Sequence, residues 1–144
     1  MDIKRYPLED IPLDQSSVES RSDILIYSSE IVSRELVLSG WAHLEIHAAS
    51  NCEDTEWHAK ITDVHPNGQS MKVTQGCLRA SYRDSLENPT SLTPNRIYRF
   101  VIEFWPSHHV FLPGHRVRVT ITSSDFPWFA RSMNRFGKIS DMDR

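Results

Sequence analysis

The sequence predicts an all-β domain, built as a sandwich or barrel of antiparallel strands. Short segments alternate apolar and polar residues with period two, which is the mark of a strand with one buried face. Residues that favour turns separate these segments, and no stretch shows an apolar stripe at helical spacing.

The first half of the chain is predicted to form strands. Residues 24–27 are a short β-prone run, and residues 36–38 begin another, which continues past Gly40. Residues 41–49 alternate strictly, with small or apolar side chains at Ala42, Leu44, Ile46 and Ala48. Residues 57–62 also alternate, with one face formed by Trp57, Ala59 and Ile61 and a second, solvated face by His58, Lys60 and Thr62.

The second half continues this pattern. The sequence His-Pro-Asn-Gly at 65–68 predicts a hairpin turn, with residues 69–74 as the returning strand. A long loop is expected at 82–96. Two further strands are predicted, at 97–105 and at 116–122, the second after a Pro-Gly turn.

The length of 144 residues fits one domain with one core. The first 22 residues are polar and without periodicity, so they are expected to form an extended arm or linker. Residues 23–144 are then the β-sandwich domain. Cys52 and Cys77 are too few for a zinc site, and whether they pair stays open.

A net charge of −3 gives no electrostatic reason to expect nucleic acid or an anionic membrane as a partner. No apolar run approaches the roughly 20 residues of a membrane span. The N-terminus lacks the apolar region of a signal peptide, which slightly favours the cytoplasm but leaves the compartment open.

The seven histidines do not predict a metal site. His43 and His47 share a strand face but lie four residues apart, roughly 13 Å along an extended strand. His108, His109 and His115 group around an expected turn, where at most two of the three can converge. A structural role or plain exposure is favoured, so we expect no metal ion and no cofactor.

Serines and carboxylates also give no specific catalytic motif. The chain lacks the Gly-x-Ser-x-Gly sequence of a nucleophile elbow. Glu53, Asp54 and Glu56 resemble a solvated loop before a strand, while Asp63 and Asp125 are expected to accept from backbone donors in loops. We therefore expect no catalytic residue in this chain.

Aromatic residues are concentrated in the last third of the chain. Trp128 and Phe129 are adjacent, so they cannot both point into one sheet, and at least one is expected on the surface. A partner-domain interface is favoured over a sugar-stacking platform. The interface candidates are Trp105, Phe111, Phe126, Trp128 and Phe129.

The order of several short motifs resembles the C-terminal non-catalytic domain of the X-Pro dipeptidyl-peptidase and cocaine-esterase-like (CocE/NonD) serine hydrolases. No single motif is specific, but their order and spacing make the resemblance strong. The matching segments are 24–30 (ILIYSSE), 38–40 (LSG), 54–64 (DTEWHAKITDV), 65–68 (HPNG), 76–83 (GCLRASYR), 105–106 (WP), 110–111 (VF), 114–116 (GHR) and 123–127 (SSDFP).

The resemblance implies a jelly-roll β-sandwich, similar to galactose-binding domains, packed against an α/β-hydrolase catalytic domain. In that family the catalytic serine, aspartate and histidine lie in the α/β-hydrolase part, so none is carried over to this chain. The implied reaction of the parent enzyme is hydrolysis of an acyl ester or of an X-Pro dipeptide bond.

Two departures from the family lead to further expectations. No catalytic domain precedes the arm, and the polar run 134–144 replaces the last strand of relatives, so the sandwich is expected to be truncated at its C-terminal end. A missing strand exposes an edge, which leaves open a homodimer through that edge. A free-standing carbohydrate-binding or other ligand-binding jelly-roll module is the alternative function.

Overall fold

The computed structural model describes residues 14–137, which form an antiparallel β-sandwich. In chain order the elements of this part are α1 (Ser16–Glu19), β1 (Leu25–Ser28), β2 (Leu36–Gly40), β3 (His43–Ala48), β4 (Glu56–Val64), β5 (Ser70–Arg79), a 3₁₀ helix (Ala80–Tyr82), β6 (Tyr98–Glu103), β7 (Ser107–Phe111) and β8 (Arg116–Thr122). The prediction of an all-β domain is confirmed.

The strands form two layers. The first is a four-stranded sheet in the order β1-β8-β4-β5, and the second consists of the ladders β2–β7 and β3–β6. The layers approach each other at β5, where Gly76 forms a bridge to Phe104 and Trp105 N donates to the Gln75 carbonyl oxygen at 2.9 Å. On the other side of the first layer, β1 is the edge strand.

Gly76 permits this close approach of backbones. A Cβ at this position would overlap the carbonyl oxygen of Glu103. Glycine within a strand commonly marks a point where another backbone comes near. The junction between the layers therefore depends on the absence of a side chain at this residue.

The hydrophobic core lies between the layers and is supplied by alternating strand residues. Phe100, Ile102 and Phe104 follow one another at period two and are at most 2% exposed. Ala59 and Ile61 meet them from β4. These positions confirm the inward faces predicted for residues 57–62 and 97–105.

The hairpin predicted at residues 65–68 is confirmed. His65 N donates to the Gln69 carbonyl oxygen at 2.8 Å, and Gly68 N donates to the His65 carbonyl oxygen at 2.9 Å. Gly68 has a φ of 92°, which glycine adopts without steric cost. The turn brings His65 to the end of the sandwich where β4 and β5 meet.

Residues 14–22 differ from the extended arm that the sequence predicts. They form the turn α1 and pack on the outer face of the first layer, with Glu19 only 7% exposed. Glu19 accepts hydrogen bonds from Arg118 Nη1 at 2.6 Å and from Ser70 Oγ at 2.8 Å. The rest of the predicted arm, residues 1–13, lies outside the described residues.

Strand β7 is absent from the sequence prediction, which grouped His108 and His109 with His115 around the Pro-Gly turn at 113–114. The two histidines instead occupy adjacent positions of β7, opposite Ser39 and Leu38 of β2. Pairing with β2 explains the difference, because a partner distant in sequence can hold a short polar segment in a strand. The alternation of β7 then points its two histidines to opposite faces.

Candidate domain interface and interior histidine cluster

The predicted interface aromatics divide into exposed and buried residues. Trp105, Phe126 and Trp128 are 57%, 64% and 60% exposed. Phe129 is half-buried. Phe111 corrects the predicted set, because it is 1% exposed and belongs to the core between the layers. Its ring is therefore not available to a partner of the folded domain.

Phe129 covers His58 on the outer face of the first layer. The two ring centroids lie 4.9 Å apart, and His58 is 3% exposed with its Nε2 3.3 Å from Glu56 Oε2. The prediction that this face of β4 is solvated is therefore wrong. Strand alternation separates the two faces correctly, but it does not show that a chain segment after β8 returns over the polar one.

Trp41 is a further exposed aromatic that the interface prediction omitted. Continuing the register of β3 and β6 places it opposite Trp105, because Phe104 N donates to the Ala42 carbonyl oxygen at 2.9 Å. Trp41 is 60% exposed. The signal was present in the sequence, since period two puts Trp41 on the polar face together with His43.

Trp128 is linked to Trp105 through the start of β5. Lys72 Nζ lies 5.6 Å from the centroid of the Trp128 ring and 3.2 Å from Gln75 Oε1. Gln75 in turn holds the backbone of Trp105. We define the tryptophan surface as Trp41, Trp105 and Trp128, three exposed indoles. The first two lie at opposed positions of neighbouring strands, and Trp128 is connected to Trp105 through Lys72 and Gln75.

The ammonium group of Lys72, beside this surface, has a pKa below its usual value. Burial lowers the pKa of its ammonium group, the positive charge of Lys60 lowers it further, and Asp125 acts in the opposite direction. Lys60 itself forms an ion pair of 2.8 Å with Asp125. A partner that covers Trp128 would bury Lys72 more deeply, and a buried ammonium group is costly unless it is paired, so such a partner would have to supply a carboxylate or another acceptor at this point.

A groove of about 630 Å³ opens between α1 and the segment after β8. Its wall includes Phe126, Trp128 and Arg131, and its base includes the Lys60–Asp125 ion pair. Arg131 lies over the Phe126 ring at 5.4 Å. The groove thus combines aromatic faces with charged groups. Two of these charged groups, Lys60 and Asp125, already pair with each other.

Asp54 is not part of a solvated loop, contrary to the prediction for the acidic cluster 53–56. It is fully buried. Its carboxylate accepts from Thr55 N, Ser81 N, Ser81 Oγ and Arg79 Nε at 2.6–3.0 Å. The carboxylate therefore fixes the start of β4 to the end of β5, which is a structural role.

Asp63 also differs from its predicted role as an acceptor for backbone donors. It is buried between the layers, with His109 Nε2 at 2.9 Å from Oδ2 and His115 Nδ1 at 2.8 Å from Oδ1. His65 Nε2 lies 3.8 Å from Oδ2. We name Asp63, His65, His109 and His115 the interior histidine cluster.

This cluster partly confirms the interpretation of the histidines. Two of the three in the 108–115 group converge, which is the most that the sequence analysis allowed, while His108 lies 3.2 Å from Ser39 Oγ. The sequence missed Asp63 and His65 as neighbours. Their spacing of two residues was the available signal, because such positions share one strand face.

The remaining candidates stay apart in the described part of the chain. His43 and His47 are exposed on β3, as predicted. Cys52 and Cys77 are both free thiols. Partial burial raises the pKa of the Cys77 thiol, and the carboxylates of Glu56 and Asp125 raise it further.

Within the described residues the site combines buried structural carboxylates with several exposed aromatic side chains, and exposed apolar surface of this kind commonly marks a site of interaction. This chain belongs to the family of X-Pro dipeptidyl-peptidase C-terminal non-catalytic domains, whose family model matches residues 2–136. The resemblance of the sequence to CocE/NonD hydrolases is therefore confirmed.

The known proteins that the chain matches are larger hydrolases. The chain is 36% identical over 129 residues to the cocaine esterase of Rhodococcus sp.. This match covers 90% of the chain and 22% of the esterase. The fold superposes on an α-amino acid ester hydrolase with a TM-score of 0.81 at 29% identity, covering 89% of this chain and 23% of the hydrolase. An aminopeptidase from a marine sediment Thaumarchaeota archaeon superposes with the same TM-score of 0.81 at 28% identity. This match covers 86% of this chain and 22% of the aminopeptidase.

The chain thus spans about a fifth of the length of these relatives, in which the matching part is a C-terminal domain. Within residues 14–137 there is no helix with the length and apolar character that crossing a membrane requires.

Proposed function

We propose that this chain is the accessory β-sandwich of a serine hydrolase and packs against its α/β-hydrolase catalytic domain. The reaction of that enzyme would be hydrolysis of an acyl ester or of an X-Pro dipeptide bond. Membership of a non-catalytic C-terminal domain family supports the accessory role, and the similarity to an esterase and an ester hydrolase supports the reaction class.

The tryptophan surface is the observation that carries the docking proposal. Each of its three indoles is 57–60% exposed, although side chains of this size contribute most to cores and interfaces. Tryptophan is among the residues most enriched at the energetic centres of protein interfaces. We therefore propose that Trp41, Trp105 and Trp128 become buried against the catalytic domain.

Phe126 lies two residues before Trp128 and is 64% exposed on the wall of the groove. It can extend the same contact. Phe129 contributes indirectly, since its ring lies on His58 and holds the segment that carries Trp128. Four of the five predicted aromatics thus remain in the proposed interface or its support.

A chimera tests this proposal. The matching C-terminal segment of the Rhodococcus cocaine esterase would be replaced by this chain, and cocaine hydrolysis and thermal unfolding measured. We expect the chimera to be active, and the variant Trp41→Ala/Trp105→Ala/Trp128→Ala to unfold at a lower temperature with reduced activity. Loss of an interface hot spot typically costs about 2 kcal/mol or more.

Leu86→Ala is the matched control, since Leu86 is 82% exposed and lies in the loop before β6, away from the three indoles in the chain. If the triple variant behaves like Leu86→Ala in the active chimera, the tryptophan surface is not the docking site. The isolated chain should neither hydrolyse aryl esters nor react with an active-site serine probe, and labelling of any of its serines would contradict the accessory role.

A ligand-binding module is the second candidate function, and the groove between α1 and the segment after β8 is the observation that favours it. Its volume falls in the range of small-molecule sites, roughly 300–1,000 Å³. Exposed Phe126 and Trp128 provide stacking faces beside the carboxylate of Asp125. Quenching of tryptophan fluorescence by mono- or oligosaccharides, abolished by Trp128→Ala, would support this function.

Self-association through β1 also remains a proposal. Leu25 and Tyr27 of this edge strand are 57% and 60% exposed. An exposed edge with apolar side chains is a template for pairing with another strand. Sedimentation of the chain as a dimer, converted to monomer by Ile26→Pro, would support pairing along this edge.

A further inference from the structure

The interior histidine cluster joins both layers of the sandwich. Asp63 belongs to β4, His65 to the hairpin that follows it, His109 to β7, and His115 precedes β8. Three imidazoles, from segments as far apart in sequence as residues 65 and 115, therefore surround the one carboxylate. The carboxylate is 3% exposed at its side chain, whereas the His65 and His109 rings are about one third exposed.

The spacing of three of these residues fits the coordination of a small cation. One oxygen of Asp63 and one nitrogen each of His65 and His115 lie within 4.8 Å of one another. Ligand atoms bonded to a tetrahedral zinc ion at 2.0–2.2 Å are separated by about 3.3–3.6 Å. The distance of 3.8 Å between His65 Nε2 and Asp63 Oδ2 is close to that value and too long for a hydrogen bond. His115 Nδ1 and Asp63 Oδ1 are 2.8 Å apart in a hydrogen bond, so they would have to separate by about half an ångström to bind the same ion.

The stacking of His65 and His115 supports the same geometry. Their ring centroids are 4.5 Å apart at an interplanar angle of 40°. Two imidazoles in this arrangement beside one carboxylate present their nitrogens to a common space. His65 lies in the hairpin and is 35% exposed at its side chain, so it has room to close on an ion.

His109 would hold the carboxylate of Asp63 in place without binding the ion itself. Its Nε2 lies 2.9 Å from Asp63 Oδ2, which orients the carboxylate. Ligating carboxylates in metal sites are commonly held by such a hydrogen bond. The second face of the His109 ring is fixed by an edge contact with Phe111, with centroids 4.8 Å apart.

The donor set selects the kind of ion. Two imidazoles and one carboxylate are the ligands of zinc and of neighbouring first-row divalent metals. Calcium requires six to eight oxygen ligands, and magnesium prefers an octahedron of oxygens. A single buried carboxylate cannot supply either of these.

We propose that the interior histidine cluster binds a divalent transition-metal ion such as zinc through Asp63, His65 and His115. Three protein ligands leave a fourth position for water. The bound ion would connect β4, the hairpin and the entry to β8, with His109 extending the network to β7 of the second layer. Binding to the folded chain alone stabilises it against unfolding.

Cobalt provides the spectroscopic test, using the full chain after treatment with a chelator. We expect Co²⁺ to produce the intense visible absorption of a four-coordinate site and Zn²⁺ to displace it. Zn²⁺ should also raise the unfolding temperature. His65→Gln should weaken metal binding at least tenfold, and His109→Gln by about 10- to 100-fold, the range for outer-shell residues.

His43→Gln is the matched control, because His43 is exposed on β3, where its Nε2 lies 3.3 Å from Glu103 Oε2. It should bind cobalt like the unaltered chain. Two results would overturn the proposal. One is no cobalt absorption and no zinc-dependent stabilisation at about 1 mM metal, the weak end of the affinity scale. The other is equal binding by His65→Gln and His43→Gln, both of which can be checked for folding by their far-ultraviolet spectra.

Discussion

Arg79 Nε donates a hydrogen bond of 2.6 Å to Asp54 Oδ2 at the point where β5 ends. The Arg79 guanidinium also donates from Nη2 to the carbonyl oxygens of Arg135 and Gly137, at 3.3 Å each. This pair therefore anchors the segment that follows β8. The same segment carries Trp128, so the proposed interface depends on a buried ion pair behind it.

Asp54→Asn should destabilise the domain strongly. The amide keeps the shape but removes the charge and places a donor near Arg79 Nε or Ser81 Oγ. Breaking a buried, hydrogen-bonded ion pair costs about 3–5 kcal/mol. Urea unfolding with an unchanged m-value measures the loss. Asp84→Asn is the control, since Asp84 is 71% exposed and pairs with Arg83 at the surface, and an equal effect of both substitutions would refute the role of Asp54.

Gly76→Ala should separate the two layers at β5. The added methyl group meets the backbone of Glu103, which cannot move as a flexible side chain would. Overpacking of this kind costs about 1–3 kcal/mol. The free energy of unfolding checks the prediction. Cys77→Ala, at the adjacent exposed position of β5, should have little effect, and a neutral Gly76→Ala would show that the backbones can part without cost.

Cys77 should react slowly with alkylating agents at pH 8. Its pKa is raised by burial first and by the carboxylates of Glu56 and Asp125 second, so less thiolate is present than in a free cysteine. Mass spectrometry after timed treatment with iodoacetamide, with glutathione as reference, gives the rate. Glu56→Gln should accelerate the reaction by removing one negative charge. Alkylation of Cys77 as fast as glutathione would contradict the raised pKa.

Much of the fold follows from period-two alternation. The structure places Ala59, Ile61, Phe100 and Ile102 in the core as the alternation of residues 57–62 and 97–105 predicts. The hairpin at 65–68 follows from its turn chemistry. These features are local, because the chemistry of a few adjacent residues determines them.

The errors concern contacts between distant segments. Alternation assigned His58 to a polar face, but only the return of the chain over that face, with Phe129, buries it. Similarly, Asp54 is buried through its bond to Arg79, 25 residues later. The interior histidine cluster depends on the pairing of β4 with β8 and on β7 of the facing layer, which no local pattern reveals. Tertiary packing therefore decides which polar residues become structural.

Acid should release the N-terminal segment before the sandwich unfolds. Asp14 Oδ1 accepts from the hydroxyl of Ser16, from Ser16 N at 3.0 Å and from Ser70 N at 2.9 Å, and these bonds lower the pKa of its carboxyl group, the Ser16 hydroxyl most. Because the carboxyl group has a lower pKa in the folded state than in the unfolded state, its ionised form stabilises the folded segment. This stabilisation is complete when the pH is above the pKa of the unfolded state, near 3.9, and is lost as the pH falls through the pKa of the folded state.

The released segment would expose the outer face of the first layer, including Thr62 and Ser70. NMR signals of α1 should therefore change at a pH where those of β6 are still native. Asp14→Asn should release the segment already at neutral pH, because the amide is a weaker acceptor than the carboxylate for the two amide donors. Asp23→Asn is the control, since Asp23 is exposed and pairs with Arg21 near the same segment. If α1 and β6 lose their native signals together in acid, Asp14 does not act as a separate anchor.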